Sequence, residues 1–181
     1  MKTVNQVAIL LALDRQMEKQ GSWCGETHLQ KAMFFLQALA DVPAAFDFVL
    51  YKHGPFSFDL RNELTGLRAD GLMKLHPQPA PYGPSILTTE TGDHYVDNRR
   101  SNLGKYEESI RFVAEQLADK GVSELERLST ALYVMLKHHD ISSAEKAERI
   151  AELKPHIDLT EAREAIEQVK VMQKKWESDQ S

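Results

Sequence analysis

The feature that most constrains the fold is a change of periodicity within LYKHGPFSFDLRNEL, residues 50–64. The first half alternates as a β-strand does, whereas the second half has apolar residues at helical spacing. His53, Gly54 and Pro55 separate the two halves. Glycine permits backbone angles that other residues avoid, and proline fixes the next φ, so the junction predicts a sharp strand-to-helix corner. Ser57 is placed to cap the new helix.

The same corner also allows a chemical interpretation. His53 and Ser57 lie four residues apart, which suggests a base and a nucleophile. Such a pair needs a third, orienting group, and the nucleophile elbow G-x-S-x-G does not occur in the sequence. We therefore favour a structural corner formed by Gly54, Pro55 and Ser57, and a role for His53 in contacting a partner remains open.

Two helices are predicted before the corner. Apolar spacing predicts the first over Val4–Lys19, and Gly21 ends it. Thr27 and Gln30 match a capping box at the start of the second helix, which is apolar on many sides and is expected to be central. The aromatic and β-branched run Phe46–Tyr51 then predicts a strand.

The segment after the corner predicts a helix followed by a wing. The helix Ser57–Ala69 presents an apolar side made of Phe58, Leu60, Leu64 and Leu67. Two short strands, Leu72–Leu75 and Ser85–Thr88, follow the closing Gly71. The loop of residues 76–84 between them contains four prolines, which make a stiff, extended spacer. This pattern is typical of a winged-helix domain.

The remaining residues predict helices only. Ser123 with Glu126, and Ser142 with Glu145, match capping boxes. The last helix, from about Leu159, is expected to pack its apolar stripe on the helix of residues 123–138, within the chain or across a homodimer. We thus predict a mainly α (α+β) protein: a winged-helix-like domain with a small antiparallel sheet over residues 1–100, and a C-terminal helical extension packed on it over residues 101–181.

Composition restricts the protein class. The 181 residues carry a net charge of −5, and the acidic excess lies wholly in residues 89–181, so neither half has the basic surface typical of nucleic-acid binding. The single Cys24 excludes an internal disulfide and fits a reducing compartment. The longest apolar run has seven residues, far fewer than a membrane span needs. We expect a cytoplasmic protein with no signal peptide and no membrane contact.

Motifs for catalysis or cofactors are missing from the sequence. The run His138-His139-Asp140 suggests a metal site, but adjacent helical residues point about 100° apart and rarely bind one ion. The phosphate-binding, dinucleotide-binding and zinc-protease motifs do not occur. We therefore expect no catalytic residues, no metal and no cofactor, although an enzyme of unknown type stays as a third hypothesis.

Three segments carry a resemblance to known families: THLQK at residues 27–31, FFL at 34–36 and YKHGPFSFDL at 51–60. Together they resemble the YwgA-like bacterial proteins and, more widely, the SocA-like (Panacea) domain of antitoxin and phage-associated proteins. The resemblance covers roughly residues 4–170. His53 replaces the Tyr or Phe often found before the Gly-Pro pair, and Phe56 replaces a small aliphatic residue. The resemblance implies an antitoxin-like role and no catalytic residues.

Two functions compete on these grounds. The first is a non-enzymatic interaction module of a bacterial or phage-associated system, whose partner is a protein such as a toxin or defence effector; a homodimer is also considered. Its partner-binding residues are predicted near the corner and in the loop: Tyr51, His53, Phe56, Arg61, Arg68 and Tyr82. Exposed aromatic residues favour protein contacts, although Phe56 and Phe58 also suit a core.

The alternative is a winged-helix DNA-binding transcriptional regulator. The helix that would enter the groove, residues 57–70, has Arg61 and Arg68 against three acidic residues, a net charge of −1. Lysine and arginine contacts to phosphates supply most non-specific DNA affinity, and this helix offers few. Nucleic acid is therefore the less favoured partner.

Overall fold

The computed structural model describes residues 4–180, and these residues are mainly helical with two small antiparallel sheets. At this level the predicted fold class is confirmed. In chain order the elements are α1 (Val4–Lys19), α2 (Glu26–Ala38), β1 (Val49–Tyr51), β2 (Gly54–Phe56), α3 (Phe58–Ala69), β3 (Met73–His76), β4 (Ser85–Thr88), α4 (Glu90–Asp97), α5 (Arg100–Leu103), a 3₁₀ turn (Gly104–Tyr106), α6 (Glu107–Leu117), α7 (Val122–Lys137), α8 (Ser143–Leu153) and α9 (Leu159–Asp179).

The chain divides into two compact units. The first contains residues 4–48 together with Ser57–Lys120, and the second contains Val49–Phe56 together with residues 121–180. This division differs from the expected boundary at residue 100. The helix α6 belongs to the first unit because it packs on α1 and α2, and the β1–β2 hairpin belongs to the second because β2 packs on α7.

The first unit is centred on α2. Every residue from His28 to Leu36 is buried, which agrees with the central helix that the sequence predicts. The capping box predicted at Thr27 and Gln30 is wrong, because the helix begins at Glu26 after Gly25 and no side chain caps it. The Gln30 side chain instead accepts a hydrogen bond from the Ser57 amide and donates one to the Ser57 carbonyl, both 2.9 Å long.

The predicted strand Phe46–Tyr51 is shorter in the structure. Only Val49–Tyr51 is a strand, and it pairs antiparallel with Gly54–Phe56. The amide and carbonyl of Phe46 are hydrogen-bonded at 3.0 Å to the Gln37 side chain. Since these backbone groups are already satisfied, they cannot join a ladder at that position.

The corner has the local geometry that the sequence predicts. Gly54 has a φ of +85°, in the left-handed region that favours glycine. Ser57 is the N-cap of α3, where its hydroxyl accepts a hydrogen bond from the Leu60 amide at 3.2 Å. The helix ends before Gly71, whose φ of +71° closes it as expected.

The second unit is a three-helix group that carries the β1–β2 hairpin. The helices α8 and α9 both pack on α7, and they also pack on each other. The predicted packing of the last helix on residues 123–138 is therefore confirmed, and it occurs within the chain. The capping box of Ser142 and Glu145 is present. The one predicted at Ser123 and Glu126 is wrong, because α7 begins after Gly121 without a side-chain cap.

Candidate interaction surfaces

The turn of the β1–β2 hairpin presents a phenol and an imidazole side chain to solvent. Tyr51 is 52% exposed, and the side chain of His53 is 61% exposed. The Tyr51 ring lies 5.7 Å from the half-buried Phe56 ring across the hairpin. We call residues 51–54 the hairpin tip. Three of the predicted contact residues, Tyr51, His53 and Phe56, are therefore brought together on one small element.

The hairpin tip is held from beneath by Lys154. This residue follows α8 and is buried, and its ammonium donates hydrogen bonds to the carbonyls of Tyr51 and, at 2.6 Å, Lys52. Burial lowers the pKa of Lys154, and the neighbouring Glu126 acts in the opposite direction. An ammonium has three N–H donors, and two of them are bound to the turn. Lys154 thus fixes the backbone of the tip.

Glu126 supplies the charge that balances Lys154. It is buried on α7, and its Oε1 lies 3.8 Å from the Lys154 ammonium and 3.0 Å from Nε2 of His156. Its Oε2 lies 3.6 Å from Nδ1 of His53, so the carboxylate also reaches the tip. Sequence reasoning missed this residue because it was assigned to a capping box. The sequence does contain a signal of its burial, because Glu126 lies between Leu125 and Leu128, which are buried on the same helix.

Small side chains let the hairpin approach α7 closely. A Cβ added at Gly54 would lie 3.0 Å from the Ser129 hydroxyl oxygen and 3.2 Å from that of Thr130. Ser129 donates a hydrogen bond to the Glu126 carbonyl at 3.2 Å, whereas the buried Thr130 hydroxyl has no partner among the described residues. Gly54 is therefore required both by its backbone angle and by the space available.

The proline-rich loop between β3 and β4 is the second exposed aromatic element. We call residues 77–84 the Pro loop; they carry no charge. Tyr82 is 62% exposed, and its ring lies 4.8 Å from that of Trp23, in the segment between α1 and α2. The Trp23 indole donates a hydrogen bond to the Gly83 carbonyl at 3.3 Å. The loop is therefore fixed to the first unit at its tip.

The base of the Pro loop is fixed as well. The Ser85 hydroxyl donates to the Trp23 carbonyl at 2.6 Å and accepts from the Gln78 amide at 2.8 Å. The Ile86 amide donates to the Cys24 carbonyl at 2.8 Å. Prolines restrict the loop in the unfolded chain as well as in the folded one, so little conformational entropy is lost when it is held in place.

The two arginines of α3 are engaged in local contacts. Arg61 lies 2.8 Å from a carboxylate oxygen of Glu26, and Arg68 donates to the Leu64 carbonyl and the Thr65 hydroxyl, each at 3.1 Å. Phe58 does not join the apolar side of this helix as expected, since half of its surface is exposed. Phe58 is the first residue of α3, and it lies outside the buried side of the helix, which consists of Leu60, Leu64 and Leu67.

The predicted contact residues thus belong to two units. Arg61, Arg68 and Tyr82 belong to the first unit, and Tyr51, His53 and Phe56 to the second. No model of a known protein family matches the chain, and no curated protein is significantly similar to it. Among residues 4–180, no helix has both the length and the apolar character to cross a membrane, and no three His, Cys, Asp or Glu side chains are grouped to hold a metal ion.

Proposed function

We propose that the chain is a non-enzymatic protein-interaction module that binds another protein through the hairpin tip and the Pro loop. The observation that carries this proposal is that each element exposes a tyrosine beside a hydrogen-bonded backbone. The buried Lys154 ammonium binds the Tyr51 and Lys52 carbonyls, and the Trp23 indole binds the Gly83 carbonyl. Aromatic side chains supply large contact areas, and a preorganised loop loses little entropy on binding. The uncharged Pro loop suits a partner surface that is also largely apolar.

The order of elements supports a winged-helix-like arrangement in the first unit. Two helices, α1 and α2, precede α3, and the β3–β4 hairpin follows with the Pro loop at its end. In this assignment the Pro loop is the wing. The role that fits best is antitoxin-like: a cytoplasmic regulator that holds a toxin or defence effector of a bacterial or phage-associated system.

The DNA-binding alternative has less support. A recognition helix needs arginines that can leave the protein surface for phosphates or bases. Arg61 is paired with Glu26, and Arg68 is bound within its own helix. Binding of DNA would have to break these contacts, and the acidic residues of α3 would oppose it.

Affinity capture from a nuclease-treated lysate of the source organism tests the proposal. We expect Tyr82→Ser and Tyr51→Ser each to weaken binding of the partner at least about thirtyfold, the affinity loss of a hot spot worth about 2 kcal/mol, and to reduce capture accordingly. Neither variant should shift the melting temperature, because both side chains are more than half exposed. Val171→Ser, on the exposed face of α9, is the matched control and should capture like the parent.

Two results would contradict the proposal. Undiminished capture by both tyrosine variants would show that the partner binds elsewhere. Tight binding of duplex DNA that Arg61→Ala and Arg68→Ala both weaken would favour the regulator instead. Capture of a second copy of the chain, with a matching change in size-exclusion volume, would show that the partner is another copy and that the chain forms a homodimer.

A further inference from the structure

A buried carboxylate joins the base of the Pro loop to α1. Asp14 lies on α1 with none of its surface exposed. Its Oδ2 accepts hydrogen bonds from the amide and the hydroxyl of Thr88, the last residue of β4, at 2.8 Å and 2.7 Å. Its Oδ1 has no partner among residues 4–180. An ionised carboxylate with one bare oxygen is costly to bury, whereas the neutral acid costs much less.

Asp14 lies where three segments that anchor the loop meet. Besides β4, the Cys24 thiol contacts the Asp14 carbonyl at 4.0 Å, and Cys24 in turn binds Ile86 of β4 through its carbonyl. Trp23, the next residue along the chain, carries the ring that supports Tyr82. A charge that appears on Asp14 therefore acts directly on the support of the loop.

The immediate surroundings favour the protonated acid near neutral pH. The pKa of Asp14 is raised from 3.8 to about 7, and burial is the largest cause. The Thr88 hydrogen bonds lower it, with a smaller contribution in the same direction from the nearby Cys24 thiol, and the negative charge of Glu18, one turn along α1, raises it. The Cys24 thiol keeps its own proton in this pH range, because burial raises its pKa to about 12.

Apart from Glu18, no charged group in residues 4–180 is among those that shift the pKa of Asp14. This holds for the charged residues of α5 and α6, which both pack on α1: Arg100, Glu107, Glu108, Arg111 and Glu115. Arg15, the neighbouring cation, is 3.1 Å from both Asp93 and Asp97 of α4. The helix α2 also packs on α1 and carries the buried His28 and Lys31, neither of which is among the groups that shift the pKa of Asp14. No counter-cation for Asp14 is thus found in the described part of the chain.

We propose that Asp14 is a proton-operated latch for the Pro loop: the neutral acid fits the buried site between α1 and β4, and loss of its proton favours an opened hairpin in which water hydrates the carboxylate, although the Thr88 hydrogen bonds oppose the opening. The biological role of the latch, which is to make partner binding through Tyr82 sensitive to pH, rests on the proposed function. The latch itself requires no partner and is tested without one.

The sign of the effect follows from the two pKa values. The folded protein holds the Asp14 proton up to about pH 7, whereas the unfolded chain releases it near 3.8. This group therefore stabilises the fold increasingly as the pH falls from 7, by about tenfold in the folding constant per pH unit. Relative to Asp14→Asn, the folding constant of the parent should rise about 100-fold when the pH is lowered from 8 to 5. In a Trp176→Phe background, acrylamide should quench the fluorescence of Trp23 more strongly only above pH 7.

Two further variants keep the test decisive if Asp14→Asn does not fold. Thr88→Val removes a hydrogen bond that favours the charged form, so the midpoint of the Trp23 transition should move to higher pH. Glu18→Gln removes a charge that favours the neutral form, so the midpoint should move to lower pH. Midpoints that stay in place in both variants, or a parent whose pH profile equals that of Asp14→Asn, would overturn the latch and leave the interaction surfaces untouched.

Discussion

Lys154→Met is expected to lower the free energy of unfolding of the second unit by about 3–5 kcal/mol, the loss typical of removing one partner from a buried ion pair. The substitution leaves the buried Glu126 carboxylate without its ammonium, and it leaves the carbonyls of Tyr51 and Lys52 without their donor. Urea unfolding followed by Trp176 fluorescence in a Trp23→Phe background measures this unit. Lys174→Met, at an exposed position on α9, is the matched control and should change little.

The double variant Lys154→Met with Glu126→Leu separates charge from packing. A buried pair replaced by apolar residues of similar volume is often neutral in stability, so this variant should recover part of the loss. Recovery will be incomplete, because the turn carbonyls still lack a donor. If Lys154→Met unfolds at the same urea concentration as the Lys174→Met control, then Lys154 does not hold the hairpin tip.

Gly54→Val is expected to cost about 3 kcal/mol or more, from two separate causes. A β-branched residue at a φ of +85° carries backbone strain of about 1–3 kcal/mol. The added side chain also meets the hydroxyls of Ser129 and Thr130, and such overpacking costs about 1–3 kcal/mol. Thermal and urea unfolding measure the sum.

Gly21→Val is the control that isolates the strain. Gly21 has a φ of +83°, but a Cβ added there meets no atom within 4 Å. Its loss should therefore lie near 1–3 kcal/mol and below that of Gly54→Val. Equal losses in the two variants would show that the hairpin does not rest tightly on α7.

The elements that were predicted correctly are those whose cause is local. The cap at Ser57, the capping box at Ser142 and the closing Gly71 each depend on residues within one or two turns. Hydroxyl and carboxylate groups at such positions reach the first amides of the helix whatever the rest of the chain does. Their sequence signals are therefore sufficient.

The two wrong capping boxes share one cause. Each helix begins directly after a glycine with extended backbone, Gly25 before α2 and Gly121 before α7. The residues that the sequence indicated as caps therefore lie inside the helices. The polar residue of each box is buried and binds far along the chain: Gln30 binds Ser57, and Glu126 lies against His156. Contacts at that separation leave no periodic signal in the sequence.

The sequence led to candidate contact residues but not to the groups that support them, and the contact role itself stays a prediction. Tyr51, His53 and Tyr82 are exposed, as a contact surface requires. The groups that hold their backbones, Lys154 and Trp23, were not singled out, because their roles depend on residues that lie about 60 to 100 positions away. A single polar residue among apolar neighbours in the sequence is only a weak signal that its side chain binds a distant part of the backbone.

Site-specific photo-crosslinking in cells of the source organism tests the central claim most directly. A benzophenone side chain is placed at position 51, at position 82 or, as a control, at Val171 of α9, which is also exposed. The interaction module predicts a discrete protein adduct of the same added mass from positions 51 and 82, and no such adduct from position 171. Adducts that form equally at all three positions, or at neither 51 nor 82, would contradict it.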